Sequence, residues 1–351
     1  MPTQLEMVKL FTTQLELCKV TPEETVIVLS EADIRADYAT AFLLAAKELG
    51  ASAFQINVAG RDYREMRLTV GRTAIAGNRP VIEALKQADL VIDLMGMLFS
   101  HEQNEICASG TRMLFVHEPF DVLVNNFPSP ALRARVEYGE KLLGQARQMH
   151  ITSEYGTDVT YDLGQYRVMT QYGYTDTPGR WDHMGTGQVL SQGIDGRVNG
   201  RVVIMPGDVI VAFKNRHVER EIELTIKDGY VTKIDGEGMD AALMSDFMDS
   251  FDDPRAYAIS HIGWGLLGSA KWYNNLISAT RTTEIGVNSL SYYGNVLFSL
   301  GPNTELGGNN DTACHLDIPL RRATLKLDGQ TIVDNGRMAV AEMKYSPVTQ
   351  H

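Results

Sequence analysis

A short polar motif near the C-terminus has the residue types of a metal site. Residues 313–319 read ACHLDIP, and because side chains alternate along an extended strand, His315 and Asp317 are expected to share one face. Cys314 then points to the opposite face. Imidazole nitrogens and carboxylate oxygens both bind divalent metals. An isolated motif of this kind more commonly forms a hydrogen-bonded polar pair, so a third ligand is needed to favour a metal.

His261 is the third candidate ligand. It follows a strand-like run, residues 256–260, and precedes Gly263, Trp264 and Gly265. This pattern predicts that His261 is displayed at the end of a strand, beside a turn. Taken alone, a histidine such as His261 is more often structural than functional.

Two histidines and one carboxylate form the smallest set that can hold iron(II) as a facial triad, which leaves three adjacent positions for a substrate and dioxygen. Cysteine ligation is not favoured, because Cys18 and Cys107 belong to the other half of the chain. The helical zinc-protease motif is also absent. Residues 101–105 read HEQNE, with a glutamate where that motif needs its second histidine.

The first part of the chain has the alternating pattern of a doubly wound α/β domain. Strands are predicted at residues 25–29, 53–58, 90–95 and 113–116, and helices at the N-terminus and at residues 33–49, 81–87 and 131–149. The first strand runs into Ser-Glu-Ala-Asp at residues 30–33. Because no glycine there lets a pyrophosphate approach a helix N-terminus, a dinucleotide site is not predicted.

From residue 150 onward, short alternating segments separated by Gly, Asp and Asn predict a β-rich α+β domain. Two helices are expected within it, at residues 238–250 and near residues 264–279. We therefore expect an α/β domain over residues 1–149 and a β-rich, metal-binding domain over residues 150–351.

Composition limits the function classes. Of the 351 residues, 44% are hydrophobic and 22% charged, as in ordinary globular proteins. The net charge is −12, and the basic residues are scattered, which disfavours nucleic-acid partners. No apolar run approaches the ~20 residues that span a bilayer, so no membrane partner is expected. Three widely spaced cysteines and an N-terminus unlike a signal peptide predict a cytoplasmic protein.

Several segments resemble a known enzyme family. The segments SHIGWG, FSLGPN and GGNNDTACHLD, with HMGTG and SEYGTDVTYDL upstream, are similar to the 2,5-dihydroxypyridine 5,6-dioxygenases of bacterial nicotinate and nicotine breakdown. The resemblance covers most of the chain. It implies iron(II) held by His261, His315 and Asp317, and ring cleavage between C5 and C6 that gives N-formylmaleamate. It also implies a homo-oligomer.

The same segments resemble, more distantly, the thermophilic two-metal aminopeptidases, which implies a shared fold for the second domain. This chain has His261 where that pattern has a glutamate before its glycine-rich turn. It also has Leu297-Phe298-Ser299-Leu300-Gly301 where that pattern has a metal-binding histidine. Such changes are expected to remove a bridged metal pair and leave one site of two histidines and one carboxylate.

Opening a hydroxypyridine ring needs a base for the substrate hydroxyl. His101 is the first candidate, because it lies in the loop beyond a parallel strand, where open α/β sheets place ligands. His183 is the second candidate, although its neighbour Asp182 also suits a structural hydrogen bond. Ser299, at the end of a predicted strand, is a candidate substrate contact or an ordinary turn serine.

Two other functions stay open at this point. A metal-dependent aminopeptidase would contain two zinc or cobalt ions and release amino acids from short peptides. A small-molecule-binding relative without catalysis would show neither iron dependence nor oxygen uptake. The metal content and the requirement for oxygen distinguish the three.

Overall fold

The computed structural model describes residues 2–60, 70–277 and 284–346. The chain forms two compact units. The first consists of Met1–Pro128 and Tyr172–Gly185, and the second of Ser129–Gln171 and Thr186–His351.

The helices and strands of the described residues are numbered in chain order. The helices are α1 (Gln4–Leu17), α2 (Ala36–Glu48), α3 (Arg79–Leu85), α4 (His101–Ala108), α5 (Phe120–Asn125), α6 (Pro130–Gln145), α7 (Met239–Asp249), α8 (Asn274–Ile277) and α9 (Val287–Leu290). The strands are β1 (Thr25–Glu31), β2 (Ser52–Val58), β3 (Leu90–Asp93), β4 (Arg112–Phe115), β5 (Gln148–Thr152), β6 (Asp158–Asp162), β7 (Met169–Gln171), β8 (Trp181–His183), β9 (Gln188–Ser191), β10 (Val198–Ile204), β11 (Val209–Ile210), β12 (Arg216–His217), β13 (Ile222–Lys227), β14 (Tyr230–Asp235), β15 (Ile259–Gly265), β16 (Val296–Leu300), β17 (Leu316–Leu320), β18 (Thr324–Leu327), β19 (Gln330–Asp334) and β20 (Arg337–Met338).

The first unit contains a parallel sheet with the strand order β2-β1-β3-β4-β8. Strand β2 lies on one side of β1 and strand β3 on the other, so the strand order reverses its direction there, as in doubly wound folds. The predicted fold class is confirmed. Central strands β3 and β4 are buried along their whole length, which explains why apolar residues follow one another at 90–92 and 113–115 instead of alternating with polar ones.

Strand β8 was not predicted. It has three residues and pairs in parallel with β4, with Met113 opposite Trp181 and Phe115 opposite His183. So short a segment, next to glycines, carries too little periodicity to be recognised, and its position depends on a long-range pairing.

The boundary predicted between residues 149 and 150 differs from the observed division in two places. Helix α6 packs against β7 and β9 of the second unit, and residues 172–185 return to the first unit. The sequence pattern shows where elements change type, but it does not show which core a helix packs on.

The second unit is largely antiparallel, as predicted for a β-rich domain. One sheet has the order β14-β13-β10-β6-β5-β18-β19-β20, a second has the order β17-β16-β15-β9-β7, and β11 pairs with β12. The second of these sheets carries the candidate site. No helix in the described part of the chain is both long enough and apolar enough to cross a membrane.

The helix predicted near residues 264–279 is wrong over most of its length. Strand β15 continues through Trp264 and Gly265, and only the short helix α8 follows; residues 278 and 279 lie outside the described residues. Glycine is required inside this strand, because a Cβ on Gly263 would lie 2.0 Å from the backbone oxygen of Val189. This close approach of β9 to β15 leaves no trace in local periodicity.

Candidate metal centre

The three predicted ligands come together on neighbouring strands of the five-stranded sheet. His261 lies in β15, Asp317 lies in the edge strand β17, and His315 immediately precedes that strand. Strand β16 runs between the two and places Ser299 directly opposite Asp317. His315 and Asp317 share a face, as their alternation predicted, since His315 Nε2 lies 3.1 Å from the Asp317 carboxylate.

His261 is not at a strand end, as the sequence indicated, but is the third residue of β15. Of the strand-like run predicted at residues 256–260, the first two residues belong to a 3-10 turn, Pro254–Tyr257, and the last two begin β15. The pairing of Ile259 with Leu300 and of Ile262 with Phe298 leaves two residues of β15 opposite the single residue Ser299. This is the count of a β-bulge, which turns a side chain away from regular alternation and is common beside functional sites.

The ligand atoms of His261, His315 and Asp317 all lie within 4.8 Å of one another. His261 Nε2 is 2.9 Å from Asp317 Oδ1, and the two imidazole rings are 5.1 Å apart between centroids. Both histidines are buried, while the side chain of Asp317 is 14% exposed. The carboxylate is thus the least enclosed of the three ligands.

The other ring nitrogen of each histidine has an acceptor. His261 Nδ1 is 2.9 Å from Glu305 Oε1, and His315 Nδ1 is 3.0 Å from the carbonyl oxygen of Leu300. A carboxylate or carbonyl oxygen can only accept, so each Nδ1 carries the proton. Each Nε2 faces the Asp317 carboxylate, and the proton that His261 holds there in the metal-free protein has to leave before this nitrogen can bind a metal. An acceptor at Nδ1, with Nε2 directed to the metal, is the usual arrangement around metal-ligating histidines.

The charges of the centre reinforce one another. Burial by itself would raise the pKa of Asp317, but the neighbouring His315 and His261 and their hydrogen bonds hold it well below its usual range. Burial would lower the pKa of His261, but Asp317 and Glu305 together raise it to about 10. The centre therefore keeps a buried carboxylate ionised, which a cation needs as its ligand.

Glu305 was missed by the sequence analysis. It lies in a 3-10 turn, Thr304–Leu306, and is buried although it is charged. Its partner His261 is 44 residues away in the sequence. A turn glutamate has no periodic signal, so only the fold shows this pairing.

Ser299 is fully buried, and its hydroxyl donates to the carbonyl oxygen of His261 at 2.6 Å. This bond supports the bulge that displays His261. Because the single hydroxyl proton is engaged, Ser299 can offer only lone pairs to another group. Its predicted contact with a substrate is thereby narrowed to a substrate atom that donates a hydrogen bond.

The first unit carries the two histidines predicted as bases. After β3, the carboxylate of Asp93 accepts hydrogen bonds from the backbone N–H groups of residues 95–97 and shapes the loop. Ser100 caps α4, and the exposed His101 is the first residue of that helix. His101 was predicted in the loop beyond this parallel strand, and it lies instead at the start of the helix that follows the loop.

His183 is the last residue of β8 and is buried. Its Nε2 lies 3.9 Å from Glu118, and its ring packs against Phe115 with centroids 4.5 Å apart. Burial, together with the charge of His117, lowers the pKa of His183 to about 3. The ring is therefore neutral but accepts a proton only weakly, which ranks it behind His101 as a base.

The residues present fit a divalent metal. Two imidazole Nε2 atoms and one ionised carboxylate converge, and a further acceptor orients each ring. Three ligands on one side of a metal leave open positions for exogenous groups. Among the described residues, no cysteine belongs to this group of ligand atoms.

Comparisons with known proteins agree with this chemistry. A family model described as 2,5-dihydroxypyridine 5,6-dioxygenase (NicX) matches residues 6–340. An enzyme of Pseudomonas putida, 2,5-dihydroxypyridine 5,6-dioxygenase, is 38% identical over 342 residues, which cover 96% of this chain and 97% of that enzyme.

Solved structures give the same result. The structure of 2,5-dihydroxypyridine dioxygenase from Pseudomonas putida KT2440 matches with a TM-score of 0.94 and 36% identity, over 98% of this chain and 100% of that one. AmpT from Thermus thermophilus matches with a TM-score of 0.63 and 12% identity, over 95% and 99% of the two chains. The second likeness concerns the fold alone and confirms the expected resemblance to thermophilic aminopeptidases. By its family model and its full-length relative, the chain belongs to the 2,5-dihydroxypyridine 5,6-dioxygenase family.

Proposed function

We propose that this enzyme cleaves 2,5-dihydroxypyridine between C5 and C6 with dioxygen, and that it uses iron(II) held by His261, His315 and Asp317. The product is N-formylmaleamate. Both oxygen atoms enter the product, so the reaction balances without an external reductant. The observation that carries the proposal is the convergence of two Nε2 atoms on one ionised carboxylate, in a chain of this family.

Two imidazoles and one carboxylate with open positions form the ligand pattern of non-haem iron(II) oxygenases. Zinc(II) also accepts such ligands, but it has no redox chemistry and cannot exchange electrons with dioxygen. Bound iron supplies the electronic coupling that lets triplet dioxygen react with a singlet aromatic ring. The chain's own residues have other tasks. They hold the ligands in place, orient the substrate and move its protons.

We assign the proton transfer to His101, which takes the proton of the substrate hydroxyl. Its exposure and its place beyond β3 support this role. His183 is the second candidate. Ser299 is proposed to accept a hydrogen bond from the substrate, because its own proton is bound to the carbonyl of His261.

The two-metal aminopeptidase reaction is not favoured. Across residues 2–60, 70–277 and 284–346, the one group of three or more His, Cys, Asp or Glu side chains close enough to hold a metal is His261, His315 and Asp317. Two bridged metals need more ligands than this group offers. The non-catalytic alternative is disfavoured by the same three residues, since they form a complete ligand set.

The cellular setting is also part of the proposal. Cys18, Cys107 and Cys314 form no disulfide bond with one another, which suits a reducing cytoplasm. A homo-oligomer is proposed on the family resemblance alone.

The activity is tested by anaerobic reconstitution of the purified, metal-free protein with iron(II), iron(III) or zinc(II). We expect oxygen uptake with 2,5-dihydroxypyridine only after iron(II) loading, with one dioxygen consumed for each ring opened. An oxygen electrode and the loss of the ring's ultraviolet absorption measure the two quantities. Peptide hydrolysis by the zinc-loaded protein, without oxygen uptake by the iron-loaded protein, would favour the aminopeptidase instead.

The ligand assignment predicts that His261→Ala, His315→Ala and Asp317→Ala each lose stoichiometric iron and nearly all activity while remaining folded. A three-ligand site has no spare ligand, and the loss of any one should abolish tight binding. Iron content after gel filtration and far-ultraviolet circular dichroism are the measurements.

The matched control for these variants is His150→Ala. His150 forms a partly exposed pair with Asp158, 2.7 Å apart, elsewhere in the same unit. The His150→Ala variant removes a histidine from a histidine–aspartate pair without changing the metal centre, and it should leave the iron content unchanged. The assignment fails if the ligand variants keep as much iron as this control.

If His101 is the base, His101→Ala should bind iron normally yet lower kcat by ~10²- to 10⁴-fold, the usual effect of removing a positioned acid or base. Added imidazole should restore part of the rate, because a free base can replace the missing side chain. Steady-state kinetics with and without imidazole, beside Glu102→Gln as a control on the same helix, provide the measurement. Wild-type rates in His101→Ala would move the assignment to His183.

A further inference from the structure

We propose that Glu305 is the positioning residue of the metal centre: its carboxylate fixes the tautomer and orientation of His261 and so tightens metal binding. The inference rests on the proposed function, since it concerns the same ligands. The contact of Glu305 with the ligand set is its 2.9 Å hydrogen bond with Nδ1 of His261. Its effect is therefore exerted through His261.

His261 has a carboxylate at each of its two ring nitrogens. His261 lies between two carboxylates, with Glu305 2.9 Å from Nδ1 and Asp317 2.9 Å from Nε2. A metal at the centre takes the lone pair of Nε2, so the Nε2 contact with Asp317 gives way to coordination. The hydrogen bond from Nδ1 to Glu305 is the one that persists with the metal bound, and it holds the ring in the binding tautomer.

Hydrogen bonds to the backbone hold the turn that carries Glu305. The guanidinium of Arg167 donates to the backbone carbonyl of Glu305 at 2.6 Å. The carbonyl of Asn303 accepts from the backbone N–H of Leu306 at 3.1 Å and of Gly308 at 3.0 Å. Asn303 packs so closely on Gly308 that a Cβ there would lie 2.1 Å from its side-chain oxygen. The turn is thus fixed at its backbone, which limits the freedom of the carboxylate.

The two histidine ligands differ in the acceptor that each Nδ1 faces. His315 donates to a neutral backbone carbonyl, that of Leu300, whereas His261 donates to a buried carboxylate. Hydrogen bonds to an ionised acceptor are roughly twice as strong as those to a neutral one. His261 is therefore the more strongly oriented and more electron-rich ligand, and its acceptor is the one that a substitution can remove.

A simpler account is that Glu305 only forms a buried ion pair with His261 in the metal-free protein. That pair would compete with the metal, because coordination requires a neutral ring. Removing Glu305 would then leave metal affinity unchanged or increase it. Positioning predicts the opposite sign, so the two accounts are separable by one binding measurement.

The test is an anaerobic chelator competition with iron(II) and with cobalt(II) on the wild type, Glu305→Ala, Glu305→Gln and Glu305→Asp. Positioning predicts a Kd raised about 10- to 100-fold in Glu305→Ala, the usual cost of losing such a partner. Glu305→Gln keeps an acceptor oxygen at the same reach and should recover most of that loss. Glu305→Asp keeps the charge but is one methylene shorter, and it should bind more weakly than Glu305→Gln.

The visible absorption of the cobalt(II) protein gives a second readout, because its bands depend on ligand strength and geometry. We expect shifted bands in Glu305→Ala and Glu305→Asp. Asp208→Asn is the control, since Asp208 is a buried carboxylate of the same unit that bonds to backbone N–H groups of Met205 and Arg321 rather than to a histidine. It should keep the wild-type Kd and spectrum.

The outcomes separate this inference from the proposed function. A wild type that binds neither ion contradicts the metal centre itself. A wild type that binds, a His261→Ala variant that does not, and Glu305 variants with wild-type affinity and spectrum overturn only the role of Glu305. If Glu305→Ala does not fold, the order of Glu305→Gln and Glu305→Asp decides, and tighter binding by the aspartate contradicts positioning.

Discussion

The pairing of the ionised, half-buried carboxylate of Asp317 with two imidazole rings is the interaction on which the candidate site depends. A buried charge is costly unless groups of opposite charge or hydrogen-bond donors surround it. His261 and His315 provide that environment and hold the pKa of Asp317 low. A metal cation can replace the protons shared among these three side chains, so the features that stabilise the metal-free cluster also make it a ligand set.

The surrounding fold serves to bring the second histidine to this carboxylate. Asp317 lies in β17 and His315 immediately precedes that strand, whereas His261 lies in β15, which β16 separates from β17. The bulge opposite Ser299 turns His261 toward the cluster, and the hydroxyl of Ser299 bonds to the bulged carbonyl. Glu305 then holds the imidazole ring of His261 by a hydrogen bond to Nδ1. A regular β-ladder needs none of these features, because the alternation of side chains along the strand alone determines which way each one faces.

Sequence reasoning succeeded where a local rule governs the structure. Strand alternation placed His315 and Asp317 on one face, and unbroken apolar runs revealed the central strands of the parallel sheet. It failed where distant segments decide. The bulge at His261, the pairing of Glu305 with His261 and the short strand β8 all depend on contacts across tens of residues. The false helix near residue 264 has the same origin, because only the approach of β9 to Gly263 shows that this glycine-flanked segment is a strand. The family resemblance, carried by short motifs, supplied the activity that spacing alone could not.

The proposed centre holds one metal ion among His261, His315 and Asp317. Anomalous diffraction from crystals of the anaerobically iron-loaded protein, measured on both sides of the iron absorption edge, locates that ion. We expect a single anomalous peak within coordination distance of both Nε2 atoms and the Asp317 carboxylate. A peak located elsewhere, or two adjacent peaks at the cluster, would contradict it.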